Sequence, residues 1–152
     1  MKLEIGDQAP DFKGVIQDGS SIKLSDFKGE KLILFFYPKD NTPGCTAEAC
    51  NLSDNFQLLK DKGFELLGVS PDTEAKHLNF ISKKDLKMDL IADPEKIILE
   101  SYGVWDEKKM YGRTYMGVMR TTFIIDEKGI IEKIFPKVKT KAHTEQILES
   151  YE

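Results

Sequence analysis

Long apolar runs are missing from this chain of 152 residues. The longest, Leu32 to Tyr37, is far short of the roughly 20 residues that a bilayer-spanning helix needs. The opening Met-Lys-Leu-Glu-Ile-Gly-Asp has no apolar signal region, so a cytoplasmic protein with no membrane partner is expected. Basic charge is not in excess either. Lys and Arg number 22 against 26 Asp and Glu, a net charge of −4, which gives no support for a nucleic-acid partner. Cysteine is scarce: Cys45 and Cys50 are too few for a disulfide scaffold. In a reducing compartment, a disulfide is more often catalytic than structural. Histidine is equally scarce. Neither His77 nor His143 sits in a metal-ligand pair spacing, so each is expected to be an ordinary helix residue rather than part of a zinc site. Low-complexity tracts, linkers and repeats are also missing, and one domain over residues 1–152 is expected.

What is present reads as alternating strands and helices. Phe12 to Leu24 reads as two short strands around the turn-forming Gln17-Asp18-Gly19-Ser20. Lys31 to Tyr37 reads as a buried central strand that Pro38 stops. A helix is expected from Pro43 to a stop at Gly63, then a buried strand over Phe64 to Ser70. Thr73 to Lys84 reads as a helix with Leu78 and Ile81 inward. Asp89 to Ala92 reads as a short strand, followed by a helix from Pro94 to Tyr102. Thr121 to Asp126 and Ile130 to Phe135 form a hairpin, and Thr140 to Ser150 a closing helix. Strands alternating with helices, plus an antiparallel hairpin, predict a three-layer α/β domain around a mixed sheet. A thioredoxin-like architecture fits that order.

The chemistry concentrates around the first helix. Thr42 suits the N-cap and Pro43 the first helical position, where its missing N–H costs nothing. Cys45 then falls in the first turn, where unpaired N–H groups and the helix dipole favour an anion. That placement predicts a thiol that ionises below the free value of about 8.5, and the thiolate is the nucleophilic form. Cys45, Ala49, Leu52, Phe56 and Leu59 share one helical face. Cys50 lies about 140° around from Cys45, and their Cα atoms are about 8.5 Å apart on an intact helix. A disulfide generally needs less than about 7 Å, so the two thiols can join only if the first turns unwind.

Two further residues bear on this helix. Glu48, three residues after Cys45, either orients a substrate or nearby cation or simply answers the helix dipole. Arg120 is one of only two arginines among the 22 basic residues, and it opens the apolar run Thr121 to Ile125. Such a position could bring a planar multi-donor fork to the sheet end. On composition alone a solvated surface arginine is the expectation.

These residues form a recognisable pattern. Pro38-x-x-x-Thr42-x-x-Cys45 resembles the active-site signature of peroxiredoxins. The run from Phe36 to Cys50 resembles the bacterioferritin comigratory protein, or peroxiredoxin Q, group. So do Gly6 to Phe12 and Gly112 to Asp126, and the likeness covers essentially the whole chain. It implies a thioredoxin-like fold with an N-terminal β-hairpin extension. It further implies Cys45 as the peroxidatic cysteine, Cys50 as the resolving one, and Pro38, Thr42 and Arg120 around the peroxide pocket. Pro38 would shield the thiol, Thr42 would bond near it, and Glu48 would support the pocket. The implied reaction reduces hydrogen peroxide and alkyl hydroperoxides through a sulfenic acid and a Cys45–Cys50 disulfide. Thioredoxin or a similar dithiol protein would restore the thiols, without metal or organic cofactor. A monomer is expected, with a dimer as the alternative. Two rival functions are a protein thiol–disulfide oxidoreductase, whose usual C-x-x-C spacing is not met here, and a redox-controlled holdase.

Overall fold

The computed structural model describes residues 3–152. Seven strands form one mixed sheet in the order β2-β1-β5-β4-β3-β8-β9. β3 (Lys31–Phe36) is at its centre, parallel to β4 (Phe64–Ser70) and antiparallel to β8 (Thr121–Ile125). β5 (Asp89–Ala92) continues the parallel set, and β9 (Ile131–Phe135) closes the other edge beside β8. The N-terminal hairpin, β1 (Lys13–Ile16) and β2 (Ser21–Lys23), joins the sheet through antiparallel pairing of β1 with β5.

Alternation along β3 builds the core on both faces. Leu32, Leu34 and Phe36 enter one apolar cluster, while Ile33, Phe35 and Tyr37 enter the other. This is the two-residue period of a strand buried on both sides. The second cluster receives Ala49, Leu52, Leu59, Phe80 and Ile147 from the helices. The first receives Ile98 and Leu99. Gly68 in β4 is required by packing: a Cβ there would lie 2.7 Å from both Phe35 and Leu90. Among the described residues, no helix is long and apolar enough to cross a membrane.

The helices depart from the sequence expectations in informative ways. The expected Pro43–Gly63 helix is two: α1 (Pro43–Asp54) and α2 (Phe56–Asp61). At the break the Asn55 side chain donates to the Asn51 carbonyl at 2.8 Å, and its own N–H bonds to Leu52. A side-chain donor that competes for a helix carbonyl is a recognised way to interrupt the ladder. α3 (Glu74–Lys84) starts where expected, with the Thr73 hydroxyl capping Lys76 N–H. Its inward residues are His77 and Phe80, not Leu78, which is 50% exposed; Ile81 is half-buried. The face is rotated because His77 is drawn into a buried hydrogen-bonded cluster.

α4 is shorter than expected, Ile97–Ser101, because the Asp93 carboxylate accepts from Ile97 and Leu99 N–H and sets its start there. α5 (His143–Glu149) is likewise a short core of the expected 140–150 helix. A second sheet was not anticipated: β6 (Trp105–Met110) and β7 (Arg113–Val118) pair as an antiparallel arm. β7 is exposed over most of its length, so its residues carry no alternation of buried and exposed types.

Candidate active site

The site lies at the carboxyl end of the central strand, where open α/β sheets commonly place ligands. β3 ends at Phe36, Tyr37 N–H still bonds to Val69, and half-buried Pro38 begins the loop to α1. α1 then starts at Pro43, which puts Cys45 in its first turn, 2% exposed. The helix axis therefore directs its positive end at a sheltered sulfur.

Thr42 has the extended backbone of an N-cap, yet its side chain makes no cap hydrogen bond. The hydroxyl instead donates to the Lys39 carbonyl at 2.8 Å. Thr42 thus holds the expected N-cap position without the usual side-chain cap hydrogen bond. Among the described residues, the loop carbonyl takes the hydroxyl proton, and Thr42 Oγ1 keeps its acceptor capacity.

Arg120 reaches this helix from 75 residues away. Phe36 pairs with Thr121 in the β3–β8 ladder, so Arg120 emerges level with the end of β3. Its Nη2 lies 3.2 Å from Cys45 Sγ, and its Nη1 donates to Glu48 Oε1 at 2.7 Å. The expectation of a solvated surface arginine is therefore overturned by sheet register. Gly44 makes room for the contact, since a Cβ there would stand 3.2 Å from Nη2. Burial works against the Arg120 charge, but the Cys45 sulfur and Glu48 carboxylate beside it more than offset this and hold it above its ordinary value.

Glu48 is fully buried. Burial raises its carboxyl to about 7, and Arg120 opposes the rise. Among the described residues its Oε2 has no hydrogen-bond partner, and it lies 3.9 Å from His143 Nε2. His143 is not an ordinary surface helix residue. It is fully buried, accepts at Nε2 from the Thr122 hydroxyl, and donates from Nδ1 to Gln146 Oε1. Burial lowers it to about 4, so it is neutral.

Cys50 lies half-buried on the same unbroken helix, and both thiols are free. Burial and then the Asp54 carboxylate push the Cys50 thiol up. Lys108, on the unanticipated β6, is a cation that sequence reasoning missed. Burial and Arg120 lower it, while the Cys45 sulfur pulls the other way. Nothing in the local sequence marks it, because only the arm's position brings it near. One cluster of side chains of the kinds that can bind a metal occurs among the described residues, Asp40, Asp72 and His77, with donor atoms within 4.8 Å of one another. All three are buried and already hydrogen-bonded to protein groups, and neither cysteine belongs to the group.

Comparison with known proteins gives the family and the fold. A profile of the AhpC/TSA family matches residues 5–134. Peroxiredoxin Bcp of Bacillus subtilis is 43% identical over 150 residues, covering 99% of this chain and 96% of that protein. The crystal structure of a cysteine-to-serine mutant of Xylella fastidiosa PrxQ superposes with a TM-score of 0.92 at 29% identity, covering 99% and 96% of the two chains. A Xanthomonas campestris bacterioferritin comigratory protein, studied for alkyl peroxide reduction, gives a TM-score of 0.88 at 30% identity over 97% and 94%. The chain belongs to the AhpC/TSA family and, within it, to the bacterioferritin comigratory protein, or peroxiredoxin Q, group of peroxiredoxins. Its fold is the thioredoxin-like one of those structures.

Proposed function

We propose that this peroxiredoxin, a thiol-dependent peroxidase, uses Cys45 as the nucleophile and Cys50 as the resolving thiol. The observation that carries the reading is the guanidinium of Arg120, which donates to Cys45 Sγ while Glu48 holds its other arm. Hydrogen peroxide and alkyl hydroperoxides are the substrates. The Cys45 thiolate attacks one peroxide oxygen, an S–O bond forms and the O–O bond breaks. The leaving oxygen takes the peroxide's proton and departs as water or alcohol. Arg120 and the first-turn N–H groups are fixed donors toward the charge that develops on it. Thr42 Oγ1, its own proton committed to Lys39, accepts from the peroxide hydroxyl. Pro38 walls the sulfur from bulk water and has no N–H to compete for it.

Cys45 is left as a sulfenate, which takes a proton from solvent to become the sulfenic acid. The Cys50 thiol attacks it, water leaves, and a disulfide forms within one chain. Thioredoxin or a similar dithiol protein reduces that disulfide, and no metal or organic cofactor enters the cycle. A monomer in the cytoplasm suffices for this cycle. The five-residue spacing of the cysteines, against the C-x-x-C of protein disulfide oxidoreductases, favours the peroxidase reading over that alternative.

Single-turnover oxidation with one equivalent of hydrogen peroxide, followed by mapping of the sulfurs, tests the proposal. A Cys45–Cys50 crosslink is the expected product. Persistence of both free thiols after peroxide is consumed would refute it.

Glu48 adds a pH dependence. Its folded carboxyl is raised to about 7 from an ordinary value of 4.5, so the folded state binds the proton more tightly than the unfolded one. That stabilisation is complete below about 4.5 and is lost as pH rises through about 7. Glu48→Gln should therefore gain stability relative to the parent as pH goes from 5 to 8, by about 1–3 kcal/mol. Guanidinium unfolding midpoints at the two pH values measure it. A difference that stays constant with pH would show that Glu48 does not titrate in this window. His143 contributes an acid-side loss of its own, between 6.5 and about 4, in both proteins.

A further inference from the structure

The Pro38–Thr42 segment carries two residues of the proposed pocket, yet it is irregular backbone between β3 and α1. It even passes through the left-handed region at Asn41, with φ of +63°. What holds it is a buried polar cluster that the peroxide chemistry does not use. Asp40 Oδ1 accepts from the Tyr37 hydroxyl at 2.6 Å. Asp40 N–H donates to Asp72 Oδ2 at 2.8 Å, and that oxygen also accepts from the Ser70 hydroxyl at 2.7 Å. Asp40 Oδ2 lies 2.7 Å from His77 Nδ1, and His77 Nε2 lies 2.8 Å from the Ile91 carbonyl. Ser70 and His77 are fully buried, and Asp40 and Asp72 nearly so. The Asp40 side chain thereby ties the loop to Tyr37 and α3, and through His77 to β5, while the Asp40 N–H ties it through Asp72 to Ser70 at the end of β4.

Hydrogen-bond accounting fixes the proton content of this cluster. A carbonyl oxygen only accepts, so His77 Nε2 carries a hydrogen. If Nδ1 and Oδ2 both lacked a proton, two bare acceptors would face each other at 2.7 Å in a site without solvent. Such an arrangement would carry an unsatisfied polar pair and a second buried anion beside Asp72. One proton therefore lies between Asp40 and His77, and the two side chains together are neutral.

We infer that Asp40 and His77 are positioning residues for the peroxide reaction: a neutral, proton-sharing pair that clamps the Pro38–Thr42 loop in the orientation Cys45 chemistry requires. The inference rests on the reading of Cys45 as the nucleophile. Among the described residues no hydrogen bond joins the pair to Cys45 or Arg120, so its influence passes through the loop. Misplacing a reacting geometry by about 1 Å costs on the order of 100-fold in rate.

The test compares two reactions of Cys45 in the intact chain: oxidation by hydrogen peroxide, which needs the whole pocket, and alkylation by iodoacetamide, which needs only a reactive sulfur. Asp40→Ala and His77→Ala should slow peroxide oxidation by about 10- to 100-fold while alkylation changes by less than about threefold. Asp40→Asn should stay within about threefold of the parent in both. Its amide N–H₂ can donate to the His77 Nδ1 lone pair and its oxygen can accept from Tyr37, which preserves both the bonds and the neutrality. Tyr37→Phe removes one hydroxyl and keeps the ring, so it retains the core even if the alanine variants do not fold. It should slow peroxide oxidation by about fivefold. Equal losses in both reactions would mean general loosening and overturn the inference, as would an unchanged peroxide rate in Tyr37→Phe. A loss in Asp40→Asn as deep as in Asp40→Ala would overturn the neutral pair. Cys45→Ser, run alongside, reports on the nucleophile separately: peroxide oxidation that survives it defeats the underlying reading whatever the clamp variants do.

Discussion

Cys45→Ser is expected to abolish peroxidase turnover, a loss on the order of 10⁴-fold or more, because a serine hydroxyl at neutral pH offers no comparable nucleophile. Hydrogen peroxide consumption in the presence of a dithiol reductant measures it. The size of the effect depends on whether Cys50 can act in its place, and its surroundings argue that it cannot. Cys45 sits in the first helical turn beneath a guanidinium donor. Cys50 sits mid-helix, where burial and Asp54 raise its thiol, so its nucleophilic form is less available. Since Cys45 and Cys50 are the chain's two sulfur nucleophiles, nothing else can substitute. The variant should fold, because Ser differs from Cys by one atom at a site already adjoining polar groups. Turnover retained at the parental level would remove Cys45 from the mechanism.

Cys50→Ser is expected to separate the two halves of the cycle. The first equivalent of peroxide should be consumed at the parental rate, since Cys45, Arg120 and Glu48 form their contacts without Cys50. Sustained turnover with a dithiol protein should then fall by about tenfold or more, with Cys45 found by mass spectrometry as sulfenic or over-oxidised acid. An unmodified Cys45 thiol after peroxide would contradict this. The same structure explains why resolution needs motion. α1 is continuous from Pro43 to Asp54, so both thiols lie on an intact helix, with Cα atoms about 8.5 Å apart by helix geometry. A disulfide needs less than about 7 Å. Unwinding the first turns would break the Arg120 contacts to Cys45 and Glu48 while the sheet beneath remains paired. Asp40, just ahead of these turns, is bonded to Tyr37, Asp72 and His77, none of which belongs to α1.

The readings that held were those set by neighbours close in sequence. The six apolar residues before Pro38 read as a buried strand, and β3 is one, with its side chains buried on both faces. The spacing of Cys45, Ala49 and Leu52 placed all three on the buried side of α1, and they are buried there. The hairpin around Asp126 to Gly129 followed from its turn residues, and the Asp126 carboxylate does accept from Lys128 and Ile130 N–H. Failures arose where a distant or side-chain partner decided. Asn55 cut one expected helix into two, and His77 rotated the buried face of α3 away from Leu78. Thr42 turned its hydroxyl to Lys39 instead of capping.

From the sequence alone came the order of strands and helices, the sulfur at a helix start, the family likeness and the impossibility of joining the two thiols on an intact helix. These follow from period, capping and covalent geometry, which act over a few residues. Tertiary structure alone decided that Arg120 touches Cys45, that Glu48 is sealed in the core beside His143, and that Asp40 and His77 meet at 2.7 Å under the loop. Those contacts span 37 to 95 residues of chain, as between Asp40 and His77 or Glu48 and His143. The Arg120 contact depends on the observed pairing of β8 with β3, because a slip of one residue there would turn the side chains of β8 to the opposite face.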